Sequence, residues 1–319
     1  MLETAERSKQ DFARGVLEGL AQEPPAIAAR WLYDDAGSAL FDDITDLPEY
    51  YPTRTEIGIL RDRRDEIAAA VGPGRSVIDY GAGSLTKTPL LIEAVKPAVY
   101  VPVDISGPFL RDSAAALGER FPDLPIHPVE ADFTRAFTLP AEVSRHRRLG
   151  FFPGSTIGNF VPESAVDLLR SFRTTLGTGA LLLIGFDRLK DERRLVAAYD
   201  DAAGTTAAFN RNLLERMNRD LGADVDVEAF AHEARWNERM ARIEMHLVAR
   251  RATAFMVAGH HFHFEAGETI HTENSHKYTL HSARLLLLSG GWTPLQEWSD
   301  ANDDFSLILA RSEAERFAP

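Results

Sequence analysis

Ser76-Val77-Ile78-Asp79-Tyr80-Gly81-Ala82-Gly83-Ser84 is the stretch on which the reading of this chain turns. A short apolar run, brief for a helix, enters a turn with two glycines one residue apart, the form of a strand leading into a loop. Glycine there lets the backbone approach a ligand closely and adopt angles that a side chain forbids. A Gly-x-Gly turn alone marks nothing, because turns use glycine everywhere. Thr86 stands where a dinucleotide fingerprint wants a third small residue, which counts against a nicotinamide cofactor.

Working outward, short apolar runs at Ala98–Asp104, Ile126–Asp132, Leu149–Pro153 and Ala180–Asp187 alternate with helical stretches. That is the βαβ pattern of a parallel sheet covered on both faces. Upstream, Asp11 to about Arg64 reads as helices broken by Pro24-Pro25, Pro48 and Pro52, with Tyr33-Asp34-Asp35 and Glu49-Tyr50-Tyr51 between them, a cap rather than a core. The rhythm breaks from about Arg188 to His276, where one long helical stretch, Glu192–Leu221, precedes the alternating runs Arg242–Arg250 and Thr253–Phe264. This reads as an inserted α+β lobe. The rhythm returns with a helix near Leu280–Ser289, then Thr293–Ser299 and Phe305–Ala310, joined by a polar turn at 300–304 short enough to make them an antiparallel pair. An α/β sheet of about seven strands, mostly parallel with an antiparallel C-terminal hairpin, resembles the Rossmann-like class I methyltransferase sheet. A dehydrogenase sheet is parallel to its edge. The expected division is a cofactor-binding core of 53–187 and 277–319, with a cap and substrate-binding lobe of 11–52 and 188–276.

In an open parallel sheet, ligands bind beyond the carboxyl ends of the strands. The first strand is followed by Gly81. The second ends at Asp104, a carboxylate placed to accept both hydroxyls of a ribose, and the third at Asp132-Phe133, a polar group for an adenine amino group beside a ring to pack its face. The three together say far more than the glycines alone. Lys87, by spacing, reads as an ordinary solvated helix lysine.

Composition narrows the function. The chain of 319 residues carries a net charge of −13 with a pI near 5.3, so its field repels phosphate backbones and anionic lipid, against nucleic-acid and membrane partners. No apolar run is long enough to span a bilayer and Met1–Phe12 is mostly polar, so the cytoplasm is the starting expectation. The chain is expected to be a monomer. With no cysteine, any chemistry falls to oxygen and nitrogen groups.

Four longer strings are more specific: Trp31-Leu32-Tyr33-Asp34-Asp35-Ala36-Gly37-Ser38, Leu47-Pro48-Glu49-Tyr50-Tyr51-Pro52-Thr53-Arg54, Gly154-Ser155-Thr156-Ile157-Gly158-Asn159 and Ala197-Ala198-Tyr199-Asp200-Asp201-Ala202-Ala203-Gly204. Over nearly the whole chain, the sequence resembles the histidine Nα-methyltransferase family of ergothioneine biosynthesis. The resemblance implies three methyl transfers from S-adenosylmethionine to the α-amino nitrogen of L-histidine, giving hercynine and S-adenosylhomocysteine. It implies cofactor contacts from Tyr33, Gly81, Lys87, Asp104, Asp132 and Phe133. It also implies Gly154 and Asn159 beside the amino group and carboxylate, Tyr199 on the carboxylate, Tyr50, Glu273 and Ser275 holding the imidazole, and Met245 packed near it. Asn274 and Tyr278 depart from the family, which often has a small apolar residue and Phe there.

Plainer readings stand beside these. Tyr33, Tyr50 and Tyr51 could be aromatic packing between cap and sheet. Glu273 alone would be a solvent-facing strand charge, but Glu273 and Ser275 alternate onto one face. The run His260-His261-Phe262-His263-Phe264 invites a metal, yet reads better as a solvated strand face, and methyl transfer from a sulfonium needs no metal. The protein's task is alignment of a neutral amine, for which Tyr33, Asn159 and the Gly154 backbone are the catalytic candidates. Methylation of another amino acid, such as a tryptophan derivative, and a non-catalytic S-adenosylmethionine sensor are the competing functions.

Overall fold

The computed structural model describes residues 2–82, 86–105 and 107–313. Gly83 and Ser84 of the opening stretch, and 314–319 of the expected core, lie outside the described residues.

In chain order the helices and strands are α1 (Leu2–Leu20), α2 (Asp35–Thr45), α3 (Tyr51–Asp62), α4 (Arg64–Val71), β1 (Ser76–Tyr80), α5 (Thr88–Val95), β2 (Val99–Asp104), α6 (Gly107–Arg120), β3 (Val129–Glu130), β4 (Arg148–Phe152), α7 (Pro162–Leu176) and β5 (Leu181–Asp187). They continue with α8 (Glu192–Ala197), α9 (Thr205–Leu221), β6 (Phe230–Asn237), β7 (Arg242–Ala249), β8 (Thr253–Val257), β9 (His260–Phe264), β10 (Thr269–His276), α10 (Leu280–Ser289), β11 (Trp292–Ser299) and β12 (Phe305–Ser312). The chain divides into two compact units, 1–51 with 190–275 and 52–189 with 276–319.

The second unit is built on a seven-stranded sheet in the order β11-β12-β5-β4-β1-β2-β3. Neighbours from β5 to β3 are parallel, and β12 is antiparallel to both β5 and β11. Strands β1 and β5 are buried at every position, as a strand covered on both faces must be. Alternate residues feed two different cores: Ile78, Leu182 and Ile184 join one, Val77, Leu181 and Leu183 the other.

Two expectations need correction. The third strand, expected over Ile126–Asp132, is only Val129–Glu130, with an isolated bridge between Tyr100 and Ile126. Pro125 precedes that stretch and Pro128 lies within it, and neither has an N–H to give a ladder, so pairing is intermittent. The long helix expected over Glu192–Leu221 is two helices. Gly204 turns left-handed at φ +78°, and the Asp201 carboxylate accepts the N–H groups of Thr205 and Thr206 at 3.0 and 2.7 Å, starting α9 afresh.

The first unit holds the three-stranded sheet β10-β7-β6 and the hairpin β8-β9. Helix α9 buries Phe209, Leu213 and Met217, four residues apart on one face, in the same core as Ile243, Met245 and Leu247 of β7. Asp34 caps α2 by accepting the Gly37 N–H at 2.8 Å, and it also receives Asn212 at 2.7 Å and Arg219 from α9. One carboxylate thereby fixes the chain immediately after Tyr33.

Within the second unit, Lys277 donates to Asp187 at 2.7 Å, with side chains 0% and 1% exposed. Removing one member of such a pair strands the other charge in the interior, so Lys277→Met should lower the unfolding free energy by about 3–5 kcal/mol. Urea titration measures this; a loss below about 1 kcal/mol would show that the ammonium contributes little.

Candidate active site

The carboxyl ends of the parallel strands carry the expected cofactor groups of the second unit. Gly81 follows β1 at φ +76°, an angle that penalises any side chain, and donates its N–H to Val103 at 2.9 Å. A Cβ on Gly81 would lie 3.8 Å from the Phe133 ring, so the space above this turn is walled by an aromatic edge. Asp104 ends β2, half-buried, and its carbonyl accepts the Ala131 N–H at 3.0 Å, which sets the spacing between the second and third strand ends. Asp132 is fixed locally, its Oδ1 accepting the N–H and hydroxyl of Thr134 at 3.0 and 2.6 Å. Phe133 packs edge-on against Tyr80 and Phe152, at 6.2 and 5.8 Å between ring centres. A glycine cradle, a carboxylate one strand over and an aromatic edge beside it fit an adenosine-bearing ligand by the chemistry of the donor set.

After β4 the chain makes two consecutive left-handed residues, Gly154 at φ +77° and Ser155 at φ +55°, before the single-turn helix Thr156–Asn159. Asn159 ends that turn, half-buried. Gly158 lies against the backbone of His276, where a Cβ would meet the carbonyl oxygen at 2.9 Å, so only glycine fits. The Ser155 hydroxyl accepts the Asp187 N–H at 2.9 Å.

Beneath these loops lie two buried carboxylates to which the sequence reading gave no role. Asp79 of β1 accepts Thr88 Oγ1 at 2.8 Å and Tyr100 OH at 2.7 Å through one oxygen. Glu56 of α3, 0% exposed, accepts the Gly154 N–H at 2.8 Å and pairs with Lys87 at 2.6 Å. Lys87 is therefore no solvated lysine: its side chain is 14% exposed and held by a buried anion.

The first unit gathers the other expected substrate residues. The Tyr33 hydroxyl donates to Glu273 at 3.5 Å, and the Tyr199 hydroxyl meets Ser275 at 2.6 Å. Tyr50 stands edge-on to Tyr199 at 6.1 Å, and Tyr33 edge-on to Phe41 and Phe209 at 5.5 and 5.3 Å. Glu273 and Ser275 thus face the tyrosine cluster together, as their spacing on β10 requires. Burial, and then Glu273, push the Tyr33 phenol well above its ordinary value, so it is a neutral hydroxyl. Met245 is in the core of this unit, and its carbonyl accepts Thr272 Oγ1 at 3.1 Å. Tyr278 lies in the second unit instead, edge-on to Phe186 at 5.0 Å in the apolar core.

His232 and Asn210 are further positioning groups that the sequence did not disclose. His232 Nε2 is 2.8 Å from the Tyr199 carbonyl, and its Nδ1 is 2.9 Å from Asn210 Nδ2. An amide nitrogen can only donate, so Nδ1 accepts and Nε2 carries the proton toward Tyr199. Burial lowers the His232 pKa, which suits that neutral tautomer.

Of the histidine run, His260, His261 and His263 are exposed, with His263 2.9 Å from Glu265. A different group, Glu244, His246 and His271, brings one ligand atom from each within 4.8 Å. Burial pushes the Glu244 carboxyl up, but hydrogen bonds from Arg242, Asn237 and His246 bring it down to about 2. Arg242 holds its Oε1 at 2.6 Å, and the two imidazoles stack at 4.8 Å, so the group is an ion-pair and stacking cluster of the sheet.

The strand order and directions make this a class I S-adenosylmethionine-dependent methyltransferase fold. Residues 12–312 match the family described as "Histidine-specific methyltransferase, SAM-dependent", and the chain belongs to it. It is similar to Histidine N-alpha-methyltransferase of Mycolicibacterium smegmatis, 43% identical over 312 residues that cover 96% of each chain. The protein of the same name from Mycobacterium tuberculosis is 40% identical over 93% of this chain and 94% of its own. Ergothioneine biosynthesis protein 1 of Neurospora crassa is 29% identical over 91% of this chain but 33% of its own length.

The second unit's buried Asp79 offers a test by pH. Burial pushes its carboxyl up to about 6, against the pull of Tyr100, Thr88 and Lys87. The unfolded chain releases this proton near pH ~4 and the folded chain near 6, so the group's stabilising contribution is whole below about pH 4 and lost as pH rises through about 6. The difference amounts to roughly 3 kcal/mol. Denaturant titrations of Asp79→Asn and the parent should show the variant gaining by about that much between about pH 4 and pH 7. A difference that does not move with pH would contradict the buried, ionised carboxylate.

Proposed function

We propose that this protein transfers three methyl groups from S-adenosylmethionine to the α-amino nitrogen of L-histidine, forming hercynine as a step of ergothioneine biosynthesis. The observation that carries the choice of substrate is the buried pair on β10: a carboxylate, Glu273, and a hydroxyl, Ser275, side by side beneath tyrosines. An imidazole offers one N–H and one ring nitrogen, which this pair can satisfy together. The names and extent of similarity of the two mycobacterial relatives support the same substrate.

Bound S-adenosylmethionine supplies a methyl group on a positively charged sulfur that leaves readily. The protein then has to hold and align. Asp104 accepts the ribose hydroxyls, Asp132 the adenine amino group, Phe133 covers the base and Gly81 admits close approach of backbone. Lys87 directs its ammonium toward the cofactor's carboxylate. Gly154 and Asn159 meet the histidine amino group and carboxylate, Tyr199 the carboxylate, and Tyr50 with Glu273 and Ser275 the imidazole.

The attacking nitrogen needs a lone pair, so the amine has to react in its neutral form. Tyr33, held neutral by burial, orients that nitrogen as a hydrogen-bond partner rather than as a base. With each methyl the nitrogen loses an N–H and ends as a fixed cation, and the faces of Tyr33, Tyr50 and Tyr199 suit that charge without needing a hydrogen to donate. No metal is required by this chemistry.

A site built on hydrogen bonds rejects analogues that cannot make them far better than an apolar pocket does. Glu273→Ala should therefore lower the ratio of kcat/KM for histidine over tryptophan by about 10²-fold or more, chiefly through histidine. An unchanged ratio would remove the carboxylate from substrate choice and favour a different amino acid.

A further inference from the structure

Glu56 is a carboxylate without solvent. It sits on α3 at 0% exposure, and among the described residues its Oε1 has no hydrogen-bond partner. That oxygen lies against β5, so close that a Cβ on Gly185 would be 2.6 Å from it. Placing an anion in such a position is costly, and an apolar side chain of the same size would pack α3 against the sheet without that cost. What the carboxylate holds explains its presence. Its Oε2 receives the Gly154 N–H at 2.8 Å and the Lys87 ammonium at 2.6 Å.

Those two partners follow neighbouring parallel strands, Lys87 after β1 and Gly154 after β4. They also serve different ligands in the function proposed above, Lys87 the cofactor and Gly154 the amino acid. Each is a group that would not hold its place unaided. A lysine has four rotatable bonds and loses much freedom when pinned. The Gly154-Ser155 turn runs through two left-handed residues, and left-handed geometry at Ser155 is disfavoured for a side-chain-bearing residue. A single charged acceptor between them fixes both.

We propose that Glu56 is a positioning residue that clamps Lys87 and the Gly154 N–H through one carboxylate oxygen, and thereby sets the affinity for cofactor and for amino-acid substrate at once. The inference rests on the reading of Lys87 and Gly154 as ligand contacts. Glu56 touches neither ligand; it acts through the two groups it holds. A purely structural acid at this place would affect melting and leave both affinities alone.

The test uses the full chain with S-adenosylhomocysteine and L-histidine as probes. Glu56→Gln keeps the shape and an acceptor but removes the charge. Calorimetry should find S-adenosylhomocysteine bound about tenfold or more weaker by Glu56→Gln and by Lys87→Met alike, with the double variant no worse than either single one, because both act through one contact. KM for histidine at saturating cofactor should rise several-fold in Glu56→Gln and stay near the parent value in Lys87→Met. Parent-like affinity for both ligands in folded Glu56→Gln would overturn the clamp. If Glu56→Gln fails to fold because it strands the lysine, the double variant removes both charges. Its KM for histidine should then exceed that of Lys87→Met, and equal values would overturn the proposal. Asp104→Ala separates the two readings: if neither it nor Lys87→Met weakens cofactor binding, the cofactor assignment itself has failed, whereas a loss in both with none in Glu56→Gln rejects the clamp alone.

Discussion

Parallel strands end on the same side. Because β1, β2, β3, β4 and β5 run in one direction, the residues that leave their carboxyl ends gather along one edge of the sheet, whatever separates them in sequence. Gly81, Asp104, Asp132 and Gly154 come from four different loops and share an edge for this reason alone. The sheet can run parallel only if both its faces are covered, which is why β1 and β5 are buried at every position and why alternate residues feed two separate cores. The polar residues of these strands lie toward their ends, where the loops begin.

The second unit places charge inside that edge rather than on it. Asp79, Glu56, Lys87, Asp187 and Lys277 are all buried or nearly so, and the ammonium of each lysine meets a carboxylate at 2.6 or 2.7 Å. Such pairs return little net stability for their desolvation. They do hold backbone in place: Glu56 the Gly154 N–H, and Asp187 a strand end whose own N–H is taken by Ser155. Methyl transfer depends on alignment to a fraction of an ångström, so rigid loops matter here more than stability does. The first unit holds its groups through tyrosine hydroxyls, which meet Glu273 and Ser275, and through a half-buried neutral histidine that steadies the backbone of Tyr199.

Much of the fold is legible in the residues because a doubly covered strand must be apolar along its length. Ser76–Tyr80 and Ala180–Asp187 could hardly be anything else. The third strand was overread, since Ile126 to Asp132 has the hydropathy of a strand while Pro125 and Pro128 deny it a ladder. The joint between α8 and α9 was missed because Asp201 and Gly204 act through capping and a left-handed turn, which periodicity does not register. Within the site, Glu273 and Ser275 are named by the family resemblance, and their alternation on one strand supports a shared face. Glu56 carries no such signal: a glutamate on a helix reads as solvated charge unless its burial is known, and from spacing alone Lys87 reads as solvated for the same reason. His232 and Asn210 are likewise silent in sequence, because their roles exist only through partners brought from distant elements.

The central claim is that the nitrogen of free histidine is methylated until no N–H remains. It is tested most directly by incubating the purified protein with excess S-adenosylmethionine and limiting L-histidine, then measuring by mass spectrometry both the amino acid and the S-adenosylhomocysteine released. Complete reaction should yield the trimethylated betaine with three equivalents of S-adenosylhomocysteine per histidine. Recovery of unmodified histidine, or of a product arrested at one methyl group with a single equivalent released, would contradict the account.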